Sequence, residues 1–364
     1  MKVGIIRTSS IGDAVLATVC LDYLRRVAPD AEVFWVGRQP SLKLIQESWP
    51  KITVAEWSRK SPGSGSATIY ENLMACDIVV DLQTSFRTRM LMRKLMLGGK
   101  LVFSARKSGW FRFRLVFEGF LRGRFKKLPE ISRSARIYQY RMMLFAVHEG
   151  MALLKKSNDD ALDLARPALV AAPITAADST WVNDLSFGTW LALAPGASHE
   201  PKRAPTDVFL DILTALAHSW PVGTPLPGLL FVGGADDRKA AVNLLDQMVW
   251  EGSVLNVAGK LTLEQTATAI AACQGLLSND SGLAHIAEAI GKPVAVLFGP
   301  TSEAFGFPPQ RAESRAFSAA LGCRPCSKHG KNYCRYGDQL CFRSIDTLEV
   351  ARFLAGILCQ KESV

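Results

Sequence analysis

The stretch Asn279-Asp280-Ser281-Gly282-Leu283-Ala284-His285 stands between two apolar runs, 275–278 and 294–298. Apolar runs of this length around a helix-forming stretch predict strand, tight loop, helix and strand, which is the repeat of a parallel α/β sheet. Asp280 and Ser281 stand where the helix should begin. The N–H groups and positive dipole end of that helix favour an anion, above all a phosphate. The alternative is an ordinary N-cap, in which one of these side chains only satisfies backbone donors.

The strand–helix alternation extends through the C-terminal half, with further predicted strands at 190–194, 229–232 and 254–257. Because the carboxyl ends of parallel strands share one edge of a sheet, the loops there should meet. The residues expected to converge are Gly196, Lys202, Gly233, Gly234, Asp237, Asp280, Gly282 and His285. A lysine beside a helix N-terminus suits a pyrophosphate, and a carboxylate on a neighbouring loop suits a ribose diol. The pattern predicts a nucleotide site assembled without a Walker motif.

The N-terminal half begins with the same unit, a strand at 3–6, the loop Thr8-Ser9-Ser10-Ile11-Gly12-Asp13 and a helix at 14–27. This loop lies at the carboxyl end of its strand, where open α/β sheets bind ligands. It lacks GxGxxG, so a nicotinamide-type fingerprint is absent here. Asp13 stands at the predicted helix start, and its alternative role is a simple N-cap.

Length and composition favour a globular protein of two domains. The chain has 364 residues, of which 48% are hydrophobic and 21% charged, as is typical of folded proteins. Residues 61–66 predict a surface loop, and 176–185 a short helix near the domain boundary. The N-terminus does not have the pattern of a signal peptide, and no run of about 18 apolar residues predicts a membrane span. These observations predict a cytoplasmic protein.

The positive charge is concentrated between residues 87 and 141. This segment has sixteen Lys or Arg and two Glu, a net charge of +14 against +10 for the whole chain. Aromatic residues are interleaved with the arginines, notably Trp110, Phe113 and Phe117. Such a segment suits the headgroups of an anionic membrane, a phosphorylated lipid or single-stranded nucleic acid. The alternative is a helix with a core face and a solvated basic face.

Four motifs, taken together and in order, resemble the lipopolysaccharide heptosyltransferases of glycosyltransferase family 9. They are the loop 8–13, Pro195-Gly196-Ala197 with Lys202, the stretch 279–285, and Phe298-Gly299-Pro300-Thr301. The resemblance implies an α/β fold of GT-B type, with two Rossmann-like domains whose parallel sheets face each other across a cleft. We expect an N-terminal acceptor domain at 1–175, a nucleotide-sugar domain at 176–345, and a C-terminal helix at 346–364 that crosses back to the first domain.

The resemblance also implies the chemistry. It implies inverting transfer of heptose from ADP-heptose to the inner core of lipopolysaccharide, with Asp13 as general base and no required cofactor. The implied donor-binding residues are Gly196, Lys202, Asp237, Leu261, Asp280, Ser281, Gly282 and His285, and the implied acceptor-binding residues are Thr8, Ser9, Ser10 and Gly12. Lys202 would contact the donor phosphate, Asp237 the ribose and Leu261 the adenine. The expected partners are the lipid A–core acceptor and the inner face of the inner membrane, without nucleic acid.

Two alternatives remain at this point. One keeps the fold and the donor but transfers heptose to protein serine. The other is a non-catalytic nucleotide-responsive protein that binds nucleic acid through the basic segment, although such a protein would not need Asp13 as a base.

The eight cysteines divide into two groups. Cys323, Cys326, Cys334 and Cys341 follow the pattern C-x2-C-x7-C-x6-C, a spacing that can ligate structural zinc or iron. The alternative is a metal-free structural or redox-labile loop. The other four are expected to be buried thiols because they stand in apolar contexts; they are Cys20, Cys76, Cys273 and Cys359.

Overall fold

The computed structural model describes residues 1–57, 64–106, 110, 112–118, 139–171, 185, 188–331, 333–334 and 336–359. These residues form two compact units. The first takes those within 1–107 and 137–170, and the second takes those within 108–136 and 171–364. The division near residue 170 lies close to the boundary expected at 175. The helical residues 112–118 differ from the prediction, because they are grouped with the second unit and not with the N-terminal one.

Both units are built from parallel strands joined by helices. The strands are β1 (Lys2–Ile6), β2 (Glu32–Gly37), β3 (Thr53–Glu56), β4 (Ile78–Asp81), β5 (Leu101–Ser104), β6 (Trp190–Ala194), β7 (Gly228–Phe231), β8 (Val254–Asn256), β9 (Gly275–Asn279), β10 (Val294–Phe298) and β11 (Arg315–Ser318). The first sheet has the order β3-β2-β1-β4-β5, and the second has the order β11-β10-β9-β6-β7-β8.

Helices connect these strands along the described part of the chain. In the first unit they are Ile11–Ala17, Val19–Val27, Ser41–Ser48, Ser64–Met74, Phe86–Leu97, Gln139–Leu153 and Asp159–Leu164. In the second they are Thr206–Ser219, Arg238–Leu245, Leu263–Ala271, Gly282–Ala289, Leu340–Arg343 and Thr347–Cys359, with 3-10 turns at Glu200–Lys202, Ala235–Asp237 and Glu303–Phe305. No helix in the described ranges combines the length and the apolar character that a membrane crossing requires.

The strand order of each sheet fixes where a ligand can bind. In the first sheet the strand order reverses between β1 and β4, and in the second it reverses between β6 and β9, although all of these strands are parallel. In open parallel sheets such a reversal leaves a crevice at the carboxyl ends of the two strands, because the following connections lie on opposite sides. Asp13 lies in the first turn of the helix that follows β1, Lys202 lies in the 3-10 turn of the connection after β6, and Asp280 directly follows β9.

The alternation of side chains along β6 explains how the second sheet is covered on both faces. Leu191 and Leu193 belong to one buried cluster, which includes apolar residues of the helices Thr206–Ser219 and Thr347–Cys359. Trp190, Ala192 and Ala194 belong to another cluster with residues of the helices on the other face. Burying each large apolar side chain contributes about 1.5–3 kcal/mol.

The C-terminal helix differs from the expectation that it crosses back to the first unit. It is grouped with the second unit, where Val350, Leu354 and Leu358 join the same buried cluster as Ile212 and Leu216 of the helix Thr206–Ser219. Its apolar stripe therefore already has a partner within that unit.

Some local predictions also differ from the structure. The helix expected at 14–27 is divided at Thr18, whose Oγ1 donates to the Val15 carbonyl oxygen at 2.7 Å. Residues 64–66, expected in a loop, begin the helix Ser64–Met74, whereas 61–63 lie outside the described residues. The helix expected at 176–185 also lies outside them, apart from Leu185. Three elements were not predicted: β5, the helix Gln139–Leu153 and β11. β5 lies within the basic segment, and the other two show no clear alternation of apolar and polar residues.

Candidate functional site

Asn279 joins the two loops at the crevice of the second sheet. It is the last residue of β9 and is fully buried. Its Nδ2 donates to the Pro195 carbonyl oxygen at 2.8 Å, and its Oδ1 accepts from the Ala204 N–H at 3.1 Å. The loop after β6 is thus held against the loop after β9 from both of its ends. Asn279 was not among the predicted site residues.

Asp280 lies at the centre of this arrangement. Lys202 Nζ donates to its Oδ2 at 2.6 Å, and Thr301 Oγ1 donates to the same oxygen at 3.0 Å. The two side chains of the ion pair are 15% and 10% exposed, so the charges interact with little screening by water. Three loops, following β6, β9 and β10, therefore meet at one carboxylate oxygen. Thr301 was not among the predicted site residues.

The ordinary N-cap alternative is wrong for the helix Gly282–Ala289. Ser281 is its N-cap residue, but its side chain makes no capping hydrogen bond and instead contacts Ser278 Oγ at 3.0 Å. The Asp280 carboxylate is engaged by Lys202 and Thr301. The first N–H groups of the helix, beginning at Gly282, therefore stand beside a lysine ammonium without a side-chain cap, an arrangement that favours an anion.

Gly196 and Asp237 make a second close approach at this sheet edge. A Cβ atom on Gly196 would lie 1.8 Å from Asp237 Oδ1. Asp237 Oδ2 accepts a hydrogen bond from the Gly234 N–H at 2.9 Å. The absence of a side chain at Gly196 is thus what allows the carboxylate to reach the loop after β6. The structure brings together Gly196, Lys202, Asp237 and Asp280, as the sequence predicted.

A Gly196→Ala substitution is expected to weaken nucleotide binding about tenfold without unfolding the protein. The added Cβ cannot coexist with the Asp237 carboxylate, so that side chain must leave its place. Titration calorimetry with ADP measures the effect. The control is Gly356→Ala, in a helix where an added Cβ meets no atom within 4 Å; its ADP affinity should equal that of the wild type. If Gly196→Ala bound ADP as tightly as the wild type, the contact between Gly196 and Asp237 would have no part in nucleotide binding.

Leu261 and His285 are the two remaining predicted donor-binding side chains. Leu261 is partly buried against the cluster below the sheet. His285 is 9% exposed, and its ring centroid lies 6.1 Å from that of Phe307. The Arg112 guanidinium lies over the same Phe307 ring at 5.1 Å. One arginine of the basic segment is therefore near the predicted donor loop, which the sequence did not indicate.

Cationic groups surround the imidazole of His329. Its ring centroid is 4.3 Å from that of His199. Burial, followed by the influence of His199, Lys328, Lys202 and Arg112, lowers the pKa of His329 to about 4. The imidazole is therefore neutral at physiological pH, chiefly because burial disfavours its charged form.

Asp13 in the first unit is paired with an arginine. Arg7 Nη2 lies 2.6 Å from Asp13 Oδ2, and the two side chains are 9% and 24% exposed. The Ser10 N–H and Oγ donate to the same Oδ2 at 3.3 and 3.2 Å. Ser10 is the N-cap residue and Asp13 is the third residue of the helix Ile11–Ala17. Asp13 is therefore not the N-cap itself, but its carboxylate caps the Ser10 N–H as in a capping box. None of these contacts uses Oδ1, which is the atom suited to accept a proton from a ligand hydroxyl.

Gln83 links the loops after β1 and β4. Its Oε1 accepts from the N–H groups of Thr8 and Ser9 at 3.1 Å each, and its Nε2 donates to Ser9 Oγ at 3.1 Å. Of the predicted acceptor residues, Ser9 and Ser10 are exposed, while Thr8 and Gly12 are buried. Arg7 and Gln83 were both missed as site residues. The signal for Gln83 was its place directly after a predicted strand.

The four clustered cysteines are close enough to influence one another. A hydrogen bond with Cys323, followed by burial, raises the pKa of Cys326 well above its ordinary value. Burial raises the pKa of Cys341 to about 11. Among the described residues, no group of three or more His, Cys, Asp or Glu side chains is arranged to hold a metal ion.

The remaining cysteines follow the prediction with one exception. Cys20, Cys76 and Cys273 are fully buried, and burial raises the pKa of Cys76 to about 11 and of Cys273 to about 12. Cys359, expected to be buried, is exposed at the end of the last helix.

Comparisons with known proteins agree with this geometry. A family model described as glycosyltransferase family 9 (heptosyltransferase) matches residues 67–336. Lipopolysaccharide heptosyltransferase 2 of Salmonella typhimurium is 33% identical over 138 residues, which are 36% of this chain and 37% of that protein. The lipopolysaccharide core heptosyltransferase OpsX of Haemophilus influenzae is 23% identical over 318 residues, 81% of this chain and 78% of that protein. The match thus spans little more than a third of the first relative's length.

Solved structures resemble the chain along its whole length. Escherichia coli ADP-heptose lipopolysaccharide heptosyltransferase II covers 100% of both chains with a TM-score of 0.69 and 20% identity. Escherichia coli heptosyltransferase WaaC with ADP covers 98% of this chain and 100% of that chain, with a TM-score of 0.60 and 16% identity. The likeness confirms the predicted α/β fold of GT-B type.

Proposed function

The chain belongs to glycosyltransferase family 9, the heptosyltransferases, and from this we propose that it transfers heptose from ADP-heptose to the inner core of lipopolysaccharide. The observation that carries the proposal is the Lys202–Asp280 ion pair of 2.6 Å beside the start of the helix Gly282–Ala289. A matched protein is named as an ADP-heptose lipopolysaccharide heptosyltransferase. Positive charge at a helix N-terminus suits a departing nucleoside diphosphate.

The second unit supplies the donor half of the proposed reaction. As the bond between the anomeric carbon and the diphosphate oxygen breaks, negative charge grows on ADP. The Lys202 ammonium and the N–H groups at the start of the helix Gly282–Ala289 stabilise that charge more than they stabilise the intact donor. Asp237 is proposed to hold the ribose, and Leu261 to line the adenine pocket. Because the chain itself provides these charges, the proposed step requires no cofactor and no metal ion.

The first unit supplies the acceptor half. The acceptor hydroxyl oxygen attacks the anomeric carbon on the face opposite the diphosphate, and its proton passes to Asp13 Oδ1. The configuration inverts in this single displacement. Arg7 and Ser10 hold the other carboxylate oxygen, so the carboxylate keeps its orientation between turnovers. Thr8, Ser9, Ser10 and Gly12 are proposed to line the acceptor side.

A donor and acceptor screen read by mass spectrometry tests the proposal. ADP-, UDP- and GDP-sugars are offered with heptose-deficient core, with and without EDTA. We expect one heptose to be added from ADP-heptose, with ADP released, in both conditions. Transfer from UDP- or GDP-sugars alone would overturn the donor assignment, and loss of transfer in EDTA would overturn the metal-independent step. Heptose on protein serine would support the alternative acceptor, and salt-dependent nucleic-acid binding without transfer would support a non-catalytic protein.

Exposed aromatic rings support peripheral contact with a membrane on the cytoplasmic side. Trp110, Phe113 and Phe117 are 79%, 60% and 50% exposed, and their rings stack in sequence with centroids 5.7 and 6.3 Å apart. Leu115 on the other side of the helical residues 112–118 is buried. The surrounding segment carries a net charge of +14. Aromatic rings beside positive charge suit the interface of an anionic bilayer.

Replacing the three rings by serine, in Trp110→Ser/Phe113→Ser/Phe117→Ser, is expected to reduce vesicle binding at least tenfold. Each ring that enters the bilayer interface contributes to the free energy of membrane binding, and the substitutions do not change the protein's charge. Co-sedimentation with vesicles containing an anionic phospholipid measures the change. Val222→Ser/Val249→Ser/Tyr333→Ser is the matched control, because those side chains are 103%, 94% and 72% exposed elsewhere. Equal loss in both variants would contradict a specific membrane face.

A further inference from the structure

Arg324 binds the loop that follows β10. Its side chain is 7% exposed. The guanidinium donates to the carbonyl oxygens of Gly299 at 2.5 Å, Ala319 at 2.6 Å and Thr301 at 3.0 Å, and it lies 3.4 Å from the Glu303 carboxylate. One buried arginine thus holds three backbone carbonyls and a carboxylate. Such a planar fork restricts the loop more than a single ammonium could.

The loop that Arg324 holds ends at the donor site. Thr301 is 1% exposed, and its Oγ1 donates to Asp280 Oδ2, the oxygen that also binds Lys202 Nζ. Two residues after Arg324, the Cys326 N–H donates to the Pro300 carbonyl oxygen at 3.0 Å. Both peptide groups that flank Thr301 therefore have partners in the segment 324–326. A shift of this segment would move the Thr301 hydroxyl.

The cysteine loop, defined as residues 323–341, also contacts the loop that carries Lys202. A Cβ atom on Gly330 would lie 2.6 Å from Pro201 Cβ and 2.7 Å from Pro300 Cγ, so Gly330 touches both site loops at once. The ring of His329 packs on that of His199 with centroids 4.3 Å apart. The cysteine loop therefore packs against Pro201 and Pro300, the residues that directly precede Lys202 and Thr301.

We propose that Arg324 is a positioning residue for the leaving-group half of the reaction. By holding the Gly299, Thr301 and Ala319 carbonyls, it sets the distance between the Thr301 hydroxyl and Asp280 and thereby the place of the Lys202 ammonium. It acts through Lys202 and does not itself contact the substrate. The inference rests on the proposed function, because the arrangement matters only if Lys202 stabilises a departing diphosphate.

A double-mutant cycle tests the inference, since residues that act through one another are not additive. Arg324→Lys keeps the charge but loses the fork. We expect it to lower kcat about tenfold in the wild-type background, with the KM for acceptor unchanged. In a Lys202→Ala background we expect the same change to lower kcat less than twofold. Equal loss in both backgrounds, or no loss in the first, would overturn the role.

Two further variants keep the test decisive. Thr301→Val removes only the hydroxyl that donates to Asp280, and it provides the test even if Arg324→Lys does not fold. It should lower kcat in the wild-type background but have little effect in the Lys202→Ala background. An equal loss of kcat in both backgrounds would overturn the inference. Arg343→Lys is the control, because Arg343 also donates to a backbone carbonyl, that of Asp338 at 2.9 Å, but is 39% exposed. It should transfer at the wild-type rate. The cycle uses whichever nucleotide-sugar the wild type accepts, so a wrong donor assignment would not be mistaken for failure of this inference.

Discussion

An Asp13→Asn enzyme is expected to transfer about a thousandfold more slowly than the wild type while binding ADP with unchanged affinity. The asparagine amide keeps the size of the side chain but cannot take the proton of an acceptor hydroxyl, and a positioned base typically contributes 10²–10⁴-fold. The proposed donor site lies in the other unit and contains none of these atoms. Single-turnover transfer and ADP titration on the same preparation separate the two effects.

The Asp13 variant also changes the charge balance of the first unit. Arg7 is 8% exposed, and Asp13 is its partner at 2.6 Å, so Asp13→Asn should lower the melting temperature. Asp22→Asn is the matched control, because Asp22 is buried and paired with Arg25 and Arg26 at 2.7 and 3.1 Å. It should lose stability in the same way yet keep its transfer rate. Full activity of Asp13→Asn, or equal rate losses in both variants, would remove Asp13 from the base role.

The second large effect is expected at Lys202. A Lys202→Met variant should lose about 10²–10³-fold in kcat, the range found when a preorganised stabiliser of developing charge is removed. Two causes act together. The ammonium no longer meets the charge that grows on ADP, and the Asp280 carboxylate, now without its 2.6 Å partner, repels the same charge.

The design of the measurement separates these two causes. Lys202→Met/Asp280→Asn removes both charges and should recover part of the rate lost by Lys202→Met, because the repulsion is gone. Lys260→Met is the control, since Lys260 Nζ donates only to the Asn256 carbonyl oxygen at 2.8 Å on an exposed surface of the same unit. If Lys202→Met raises KM for the donor without lowering kcat, the lysine binds the intact donor and the transition state equally and does not stabilise the leaving group.

The strands and the donor loops could be predicted because their signals are local. Runs such as 190–194 and 294–298 are apolar because both faces of a parallel strand are buried, and the structure has β6 and β10 at these residues. A glycine-rich or charged loop after each run then marks the ligand-binding edge. The convergence of Gly196, Asp237 and Asp280 could be predicted because the carboxyl ends of parallel strands share one edge of a sheet.

The partners of the site residues could not be predicted, because each depends on contacts between distant parts of the chain. Arg7 looked like an interruption of an apolar strand, yet its guanidinium holds Asp13. Thr301 and Arg324 act on Asp280 from 21 and 44 positions away in sequence, through hydroxyl and carbonyl contacts that no periodicity encodes. The C-terminal helix showed an apolar stripe but not which surface would cover it.

The sequence by itself determined the two parallel α/β units, the family and the positions of Asp13, Lys202 and Asp280 after the strands. These features could be predicted because apolar runs and turn residues are local signals in the sequence. Only the tertiary structure decided what these side chains do at rest. It pairs Asp280 with Lys202 and not with the backbone N–H groups of the helix Gly282–Ala289, and it packs the cysteine loop against Pro201 and Pro300, the chain neighbours of Lys202 and Thr301. The physical reason is that a buried charge takes the strongest donor that folding brings within reach, and that choice is settled by packing.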